Sequence, residues 1–94
     1  MRESKIEAHL VQRIKEAGGM ALKFVSPARR NVPDRLVLLP GGSVAFVEVK
    51  ARGEKPTANQ LREHVRLRDL GIAVHIVDRI DQVDPLIIQL GGAK

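Results

Sequence analysis

The first chemical signal in this chain comes from Asp34, which opens one apolar run, and from Glu48 and Lys50, which close another. The runs, Leu36-Val37-Leu38-Leu39 and Val44-Ala45-Phe46-Val47, flank Pro40-Gly41-Gly42, the sequence form of a β-hairpin. Side chains alternate faces along a strand, so Glu48 and Lys50 share a face with Val44 and Phe46. The run is apolar on both faces as far as Glu48, which places both charges at the rim of a buried strand. A buried carboxylate is costly unless it is paired or bound to a metal. A salt bridge to Lys50 is the plain way to offset that cost. The hairpin loop bears on the other way. A three-residue loop pairs Leu39 with Ser43, and so Asp34 with Glu48 on one face, whereas a two- or four-residue loop turns Asp34 away. We expect the odd loop, or a one-residue bulge. Two like charges that close need a cation, and two oxygen ligands with room for water suit Mg²⁺ or Mn²⁺.

Stepping outward along the chain, Pro33-Asp34 followed fourteen residues later by Glu48-Val49-Lys50 resembles the PD-(D/E)XK nuclease superfamily. The wider ordered set resembles its VRR-NUC branch, in the small stand-alone viral or bacterial form. That set is Glu7 in a first helix, Gly18-Gly19, Val32-Pro33-Asp34-Arg35-Leu36, Phe46-Val47-Glu48-Val49-Lys50, Gln60 and His64 in a second helix, then Gly71 before a strand. The resemblance spans residues 4–80. It implies an α/β restriction-endonuclease-like core, with a mixed four-stranded sheet flanked by helices. It also implies that Asp34 and Glu48 are metal ligands with the Val49 backbone carbonyl as a third. Lys50 would orient the attacking water or stabilise charge at the phosphate. Glu7 (through water, where it touches the metal) and Gln60 would complete the site.

The elements that must hold these residues can be read directly. Ser4-Lys5-Ile6-Glu7 has the form of a capping box, and Ile6, Leu10, Val11, Ile14 and Ala17 follow at helical spacing until Gly18-Gly19. Glu7 falls inside the apolar arc of that helix, so two roles are open to it: reaching back to cap the helix, or pointing inward to a site. Met20 to Val25 reads as a strand, and residues 26–33 as a polar, proline-bounded loop. Arg29, Arg30 and Arg35 surround the proposed site and are expected to contact nucleic-acid phosphate, as are Arg52 and Lys55 in the next loop. Thr57-Ala58-Asn59-Gln60 is a second capping-box form, opening a helix to about Leu70 in which Gln60 again has two roles open. Leu61 and Val65 are expected to face the sheet, with His64 and Arg68 beside them and Arg62 and Arg66 outside. Ile72 to Val77 is a β-branched strand whose helical crossover makes it a parallel neighbour of the strand ending at Lys50. Residues 80–90 suggest short helical turns broken at Asp84-Pro85, with apolar positions that close the core or contribute to a dimer contact.

Composition narrows the function classes. Ninety-four residues are read as one domain over 1–94, with a modest core that dimerisation would help. The absence of cysteine excludes a disulfide framework and a thiolate zinc site. His9, His64 and His75 lack zinc-site spacing, and no serine sits in a nucleophile-elbow context. No stretch suits a membrane helix or signal peptide, so a cytoplasmic location is expected, in a bacterial cell or phage-infected host. A net charge of +5 suits a polyanionic partner. With no Trp or Tyr, and both Phe in strands, the chain lacks the stacking platforms of single-strand binders. Duplex or branched DNA held by its phosphates is the better fit. The expected activity is a structure-selective, metal-dependent endonuclease, by analogy a homodimeric resolvase of four-way (Holliday) junctions. Alternatives are a flap- or nick-processing nuclease, a nuclease subunit of a larger complex, a DNA-binding module with a structural ion-pair cluster, and a protein-interaction domain using the apolar tail.

Overall fold

The structure, a computed structural model, describes residues 1–91. Helix α1 (Glu3–Glu16) precedes strands β1 (Met20–Lys23), β2 (Arg35–Leu39) and β3 (Ser43–Val49). Helix α2 (Ala58–Asp69), strand β4 (Ala73–Val77), a 3-10 turn (Ile80–Gln82) and helix α3 (Val83–Gln89) follow. The sheet order is β1-β2-β3-β4, with the first three strands antiparallel and β4 parallel to β3 through the α2 crossover. No helix is long and apolar enough to cross a membrane among the described residues.

Strand parity divides the sheet into two unlike faces. Val37, Leu39, Val47, Val49 and Val77 point to one face, where Ile6, Leu10 and Ile14 of α1 and Val83, Leu86 and Ile87 of α3 close over them. This is the core. Fully burying each of these aliphatic side chains contributes about 1.5–3 kcal/mol. The other face carries Leu22, Leu36, Phe46 and Val74 in one cross-strand row, and Met20, Leu38 and Val44 in the next. Helix α2 covers only the β3–β4 end of this face, and Met20, Leu22 and Val44 stay exposed. Phe24 stacks edge-on against Phe46, with ring centroids 5.0 Å apart.

The hairpin loop is three residues long, because Leu39 pairs with Ser43. Gly41 and Gly42 take φ of 89° and 85°, left-handed values that side chains resist. Gly19 serves differently: a Cβ there would collide with the Leu38 carbonyl oxygen, so its bare backbone lets the α1–β1 connection cross β2 closely.

Four expectations about the elements need correction. Helix α1 starts at Glu3 with Arg2 as its cap, and the Arg2 carbonyl accepts from Lys5 N–H and Ile6 N–H; Ser4 therefore lies inside the first turn and caps nothing. Strand β1 stops at Lys23, two residues short, as the chain turns into the loop toward Asp34. Helix α3 runs through Asp84-Pro85 without a break, since Pro85 lies in the first turn, where its missing N–H has no intrahelical partner to lose. The fourth correction concerns α2. Leu61 and Val65 are 43% and 52% exposed, and the helix instead buries Glu63 and His64. In the tail, Leu86 and Ile87 close the core while Ile88 is exposed.

Candidate functional site

The hairpin register carries Asp34 to the position opposite Glu48, one step beyond the Arg35–Val47 pair. Asp34 Oδ2 accepts the Val49 N–H at 2.9 Å, so the aspartate completes the β3 edge where β2 has ended. A strand residue turns its N–H and C=O to the same neighbour. The Val49 carbonyl thus faces the Asp34 side as well. Lys50 is held just past the strand by its own N–H, which donates to the Val77 carbonyl at 2.9 Å.

Glu48 is 1% exposed and is the centre of the cluster. His64 Nε2 lies 3.2 Å from its Oε1. Gln60 Nε2 reaches its Oε2 at 3.5 Å, and Lys50 Nζ stands 3.8 Å from the same oxygen. Its carboxyl pKa is pushed from 4.5 up to about 8, first by burial and then by the charge and hydrogen bond of Asp34; Lys50 opposes this with a smaller effect. The simple Glu48–Lys50 salt bridge therefore does not account for the buried carboxyl. The cost of holding Glu48 buried beside Asp34 is one that a bound cation would offset.

Helix α2 owes its rotation to this cluster. Gln60, Glu63, His64 and Leu67 fall at i, i+3, i+4 and i+7, a single helical face. Three of the four are polar, and each meets a partner: Gln60 and His64 meet Glu48, and Glu63 meets Arg29. Gln60 closes the cap and also reaches Glu48. Its N–H donates to Thr57 Oγ1 and its Oε1 accepts the Thr57 N–H, closing the capping box, while Nε2 turns to Glu48. His64 is fully buried, and its Nδ1 has no hydrogen-bond partner. Burial lowers its pKa and favours the neutral imidazole, whose Nε2 is the ring nitrogen that shares a hydrogen bond with Glu48.

The other sequence candidates part company. Glu7 caps nothing; it pairs with Arg35 at 2.9 Å, and Arg35 also donates to the Ala21 carbonyl. By strand parity Arg35 points to the α1 face, so the partner the fold gives Glu7 is Arg35, the residue next to Asp34. Arg29 forms a two-pronged ion pair with Glu63, at 2.6 and 2.9 Å. Both arginines are thus committed to internal carboxylates. Arg30, Arg52 and Lys55 are exposed. Sequence reasoning missed two residues. His64, set aside as structural, touches Glu48, and its i+4 spacing from Gln60 was the available signal. Glu3, in the first turn of α1, has its pKa raised by burial and then by Asp34, which places a further carboxylate near the pair.

The donor set fits a hard divalent cation. It offers two carboxylates that repel each other, a backbone carbonyl on the same side, and no thiolate. No three His, Asp or Glu side chains are arranged to hold a metal ion together among the described residues, so water and substrate oxygens would have to supply the remaining ligands, as Mg²⁺ sites commonly require.

Comparison with known proteins bears on the family and the fold. No protein-family model matches the chain. It is 59% identical over 81 residues to "Putative nuclease p44" of Acyrthosiphon pisum secondary endosymbiont phage 1, covering 86% of this chain and 87% of that protein. A solved structure described as a VRR_NUC domain superposes with a TM-score of 0.85 at 39% identity, over 92% of this chain and 94% of that one. The four-stranded mixed sheet with its three helices is thus the α/β restriction-endonuclease-like fold of that domain.

Proposed function

The chain belongs to the VRR_NUC nucleases, and from that premise we propose that it is a divalent-metal-dependent endonuclease that hydrolyses DNA phosphodiesters according to DNA structure. The observation that carries this reading is the facing pair itself: the hairpin register sets Asp34 opposite the buried Glu48, with Asp34 bonded to the Val49 N–H at 2.9 Å. Asp34, Glu48 and the Val49 carbonyl would hold Mg²⁺ or Mn²⁺, and Glu7, engaged by Arg35, stays outside the direct ligand set. A bound divalent ion supplies Lewis acidity at the phosphate and acidifies water.

The chain's own residues do the rest. His64 ties down Glu48 Oε1 and leaves Oε2 turned toward Gln60 and Lys50, which fixes the carboxylate's orientation. Lys50 presents a positive charge where negative charge develops on the phosphate. Gln60, braced by its capping box, offers an amide at the edge of the same space. Among the described residues α1 and α3 pack on the core face of the sheet and α2 is turned to the Glu48 cluster, with no separate helix beyond them, which favours selection by DNA shape. The most specific form of the proposal is a homodimeric four-way junction resolvase, two copies presenting two sites to two strands. The exposed row Met20, Leu22 and Val44 supports self-association, because burying it would continue the cross-strand apolar rows.

The test is cleavage of labelled four-way junction, flap and plain duplex DNA with Mg²⁺, Mn²⁺ or EDTA, run beside Asp34→Ala and Lys50→Ala. Paired symmetric cuts on the junction, lost in both variants and in EDTA, are expected. Cutting of flaps or nicks instead would keep the chemistry and overturn the resolvase reading. No cleavage of any substrate would overturn the nuclease reading itself.

A further inference from the structure

A second charged site lies beside the first. The loop between β1 and β2 folds against the outer flank of α2, and Arg29, Arg30, Asn31, Asn59, Arg62, Glu63 and Arg66 line a polar cleft of about 310 Å³ between them. Four guanidinium groups face one carboxylate there. That carboxylate is already occupied: Glu63 is gripped at both oxygens by Arg29, with Arg66 3.8 Å from Oε1. Asn31 takes a left-handed φ of 66°, which turns the loop back over the cleft. The Arg62 side chain is steadied by a hydrogen bond to the Asn59 side-chain oxygen. Arg30 makes no ion pair among the described residues. The cleft therefore has a latch, Arg29–Glu63, that fixes its two walls, and three further guanidiniums that share, among the described residues, only the edge of that one carboxylate, which Arg66 approaches at 3.8 Å.

Its position says what such a site would bind. Gln60 and Glu63 are about 60° apart around α2, so the helix shows one flank to Glu48 and the adjoining flank to the cleft. Along the chain Arg30 is four residues from Asp34, a reach of at most about 14 Å. One DNA strand carries a phosphate per about 3.4 Å of helix axis, which puts the cleft within about four phosphates of the Asp34–Glu48 pair.

We propose that Arg30, Arg62 and Arg66 form a binding site for one backbone phosphate of the DNA arm next to the cut, with Arg29–Glu63 as its structural latch. The proposal rests on the nuclease reading above, and it reassigns Arg29 from DNA contact to scaffold. Because the three arginines converge on one cleft, they neutralise one phosphate between them and not three.

That count is measurable. Binding of fluorescein-labelled duplex and four-way junction DNA is followed by anisotropy in EDTA from 0.05 to 0.4 M salt, on the full chain. Wild type is compared with Arg30→Ala/Arg62→Ala/Arg66→Ala and with Arg62→Lys. A single lost phosphate contact lowers the slope of log K against log salt by about 0.9, which at 0.1 M salt is roughly an eightfold weaker Kd. We expect that change in the triple variant, with KM for cleavage raised, kcat at saturating DNA and Tm unchanged, and Arg62→Lys close to wild type. A slope and affinity equal to wild type would overturn the cleft while leaving the nuclease reading intact. A slope reduced by two or more would overturn the single-phosphate count, and weaker binding accompanied by a lower Tm would show a structural role instead. Wild type that bound no DNA would overturn both readings.

Discussion

Replacing Glu48 by Gln should make the protein more stable in EDTA, and more so as the pH rises. In the folded state the carboxyl keeps its proton up to about pH 8; in the unfolded chain it loses it near its ordinary value of 4.5. Between these values the folded state holds a proton that the unfolded state has shed, so stability falls as pH rises through that window. Each pKa unit is worth about 1.4 kcal/mol, so the penalty is about 3 kcal/mol at pH 7 and approaches about 5 kcal/mol above pH 8. A glutamine has the same shape and no charge to bury. Its amide nitrogen can donate to the neighbouring Asp34, and its oxygen can still accept from Gln60. For a chain of this size, 3 kcal/mol corresponds to a Tm difference on the order of 10–20 °C. The assay is thermal unfolding of both proteins at half-unit steps from pH 4 to 9 in EDTA. The curves should meet near pH 4 and separate steadily to pH 8. His64, whose pKa burial lowers, costs stability in both proteins as pH falls below about 6.5, and because it touches position 48 the comparison is read most directly from pH 7 to 9. A difference that did not vary with pH, or a variant less stable at pH 8, would refute the argument that Glu48 is buried at electrostatic expense. Millimolar Mn²⁺ should then raise the Tm of wild type and leave Glu48→Gln nearly unmoved.

Other outcomes follow from the same contacts. His64→Leu removes the donor on Glu48 Oε1 and should weaken Mn²⁺ affinity, measured by titration calorimetry, with His64→Gln recovering part of it. Arg29→Ala leaves the buried Glu63 carboxylate without its two-pronged partner, so its Tm should fall further than that of Arg30→Ala. Glu63 has its pKa lowered by Arg29, so its contribution is present above the ordinary value of 4.5 and is lost on acidification below it; the Arg29→Ala penalty should shrink in melts at pH 3. Gly19→Ala drives a Cβ into the Leu38 carbonyl and should destabilise by more than the roughly 0.4–1 kcal/mol that the same substitution gains at an unstrained site, read as a lowered urea midpoint.

The sequence by itself determined the parts of this protein that depend on short-range counting. Loop parity between Leu39 and Ser43 set Asp34 against Glu48, because register in a hairpin is arithmetic once the turn is known. The crossover from β3 to a parallel β4 followed from the helix between them. Thr57 and Gln60 announced the α2 N-terminus, and the structure closes that capping box. Tertiary structure decided what depends on partners distant in sequence. The apolar pattern of α2 pointed to Leu61 and Val65, yet Glu48 and Arg29 drew Gln60, Glu63 and His64 inward. A helix's rotation is set by its strongest long-range contacts, and here those are hydrogen bonds and an ion pair to another strand and loop. The same reason divides the arginines. Near one another in sequence, Arg29, Arg30 and Arg35 look alike, but long flexible side chains find carboxylates through space. Glu63 takes Arg29 and Glu7 takes Arg35, while Arg30 stays exposed beside Arg62 and Arg66, which only the folded chain brings to it.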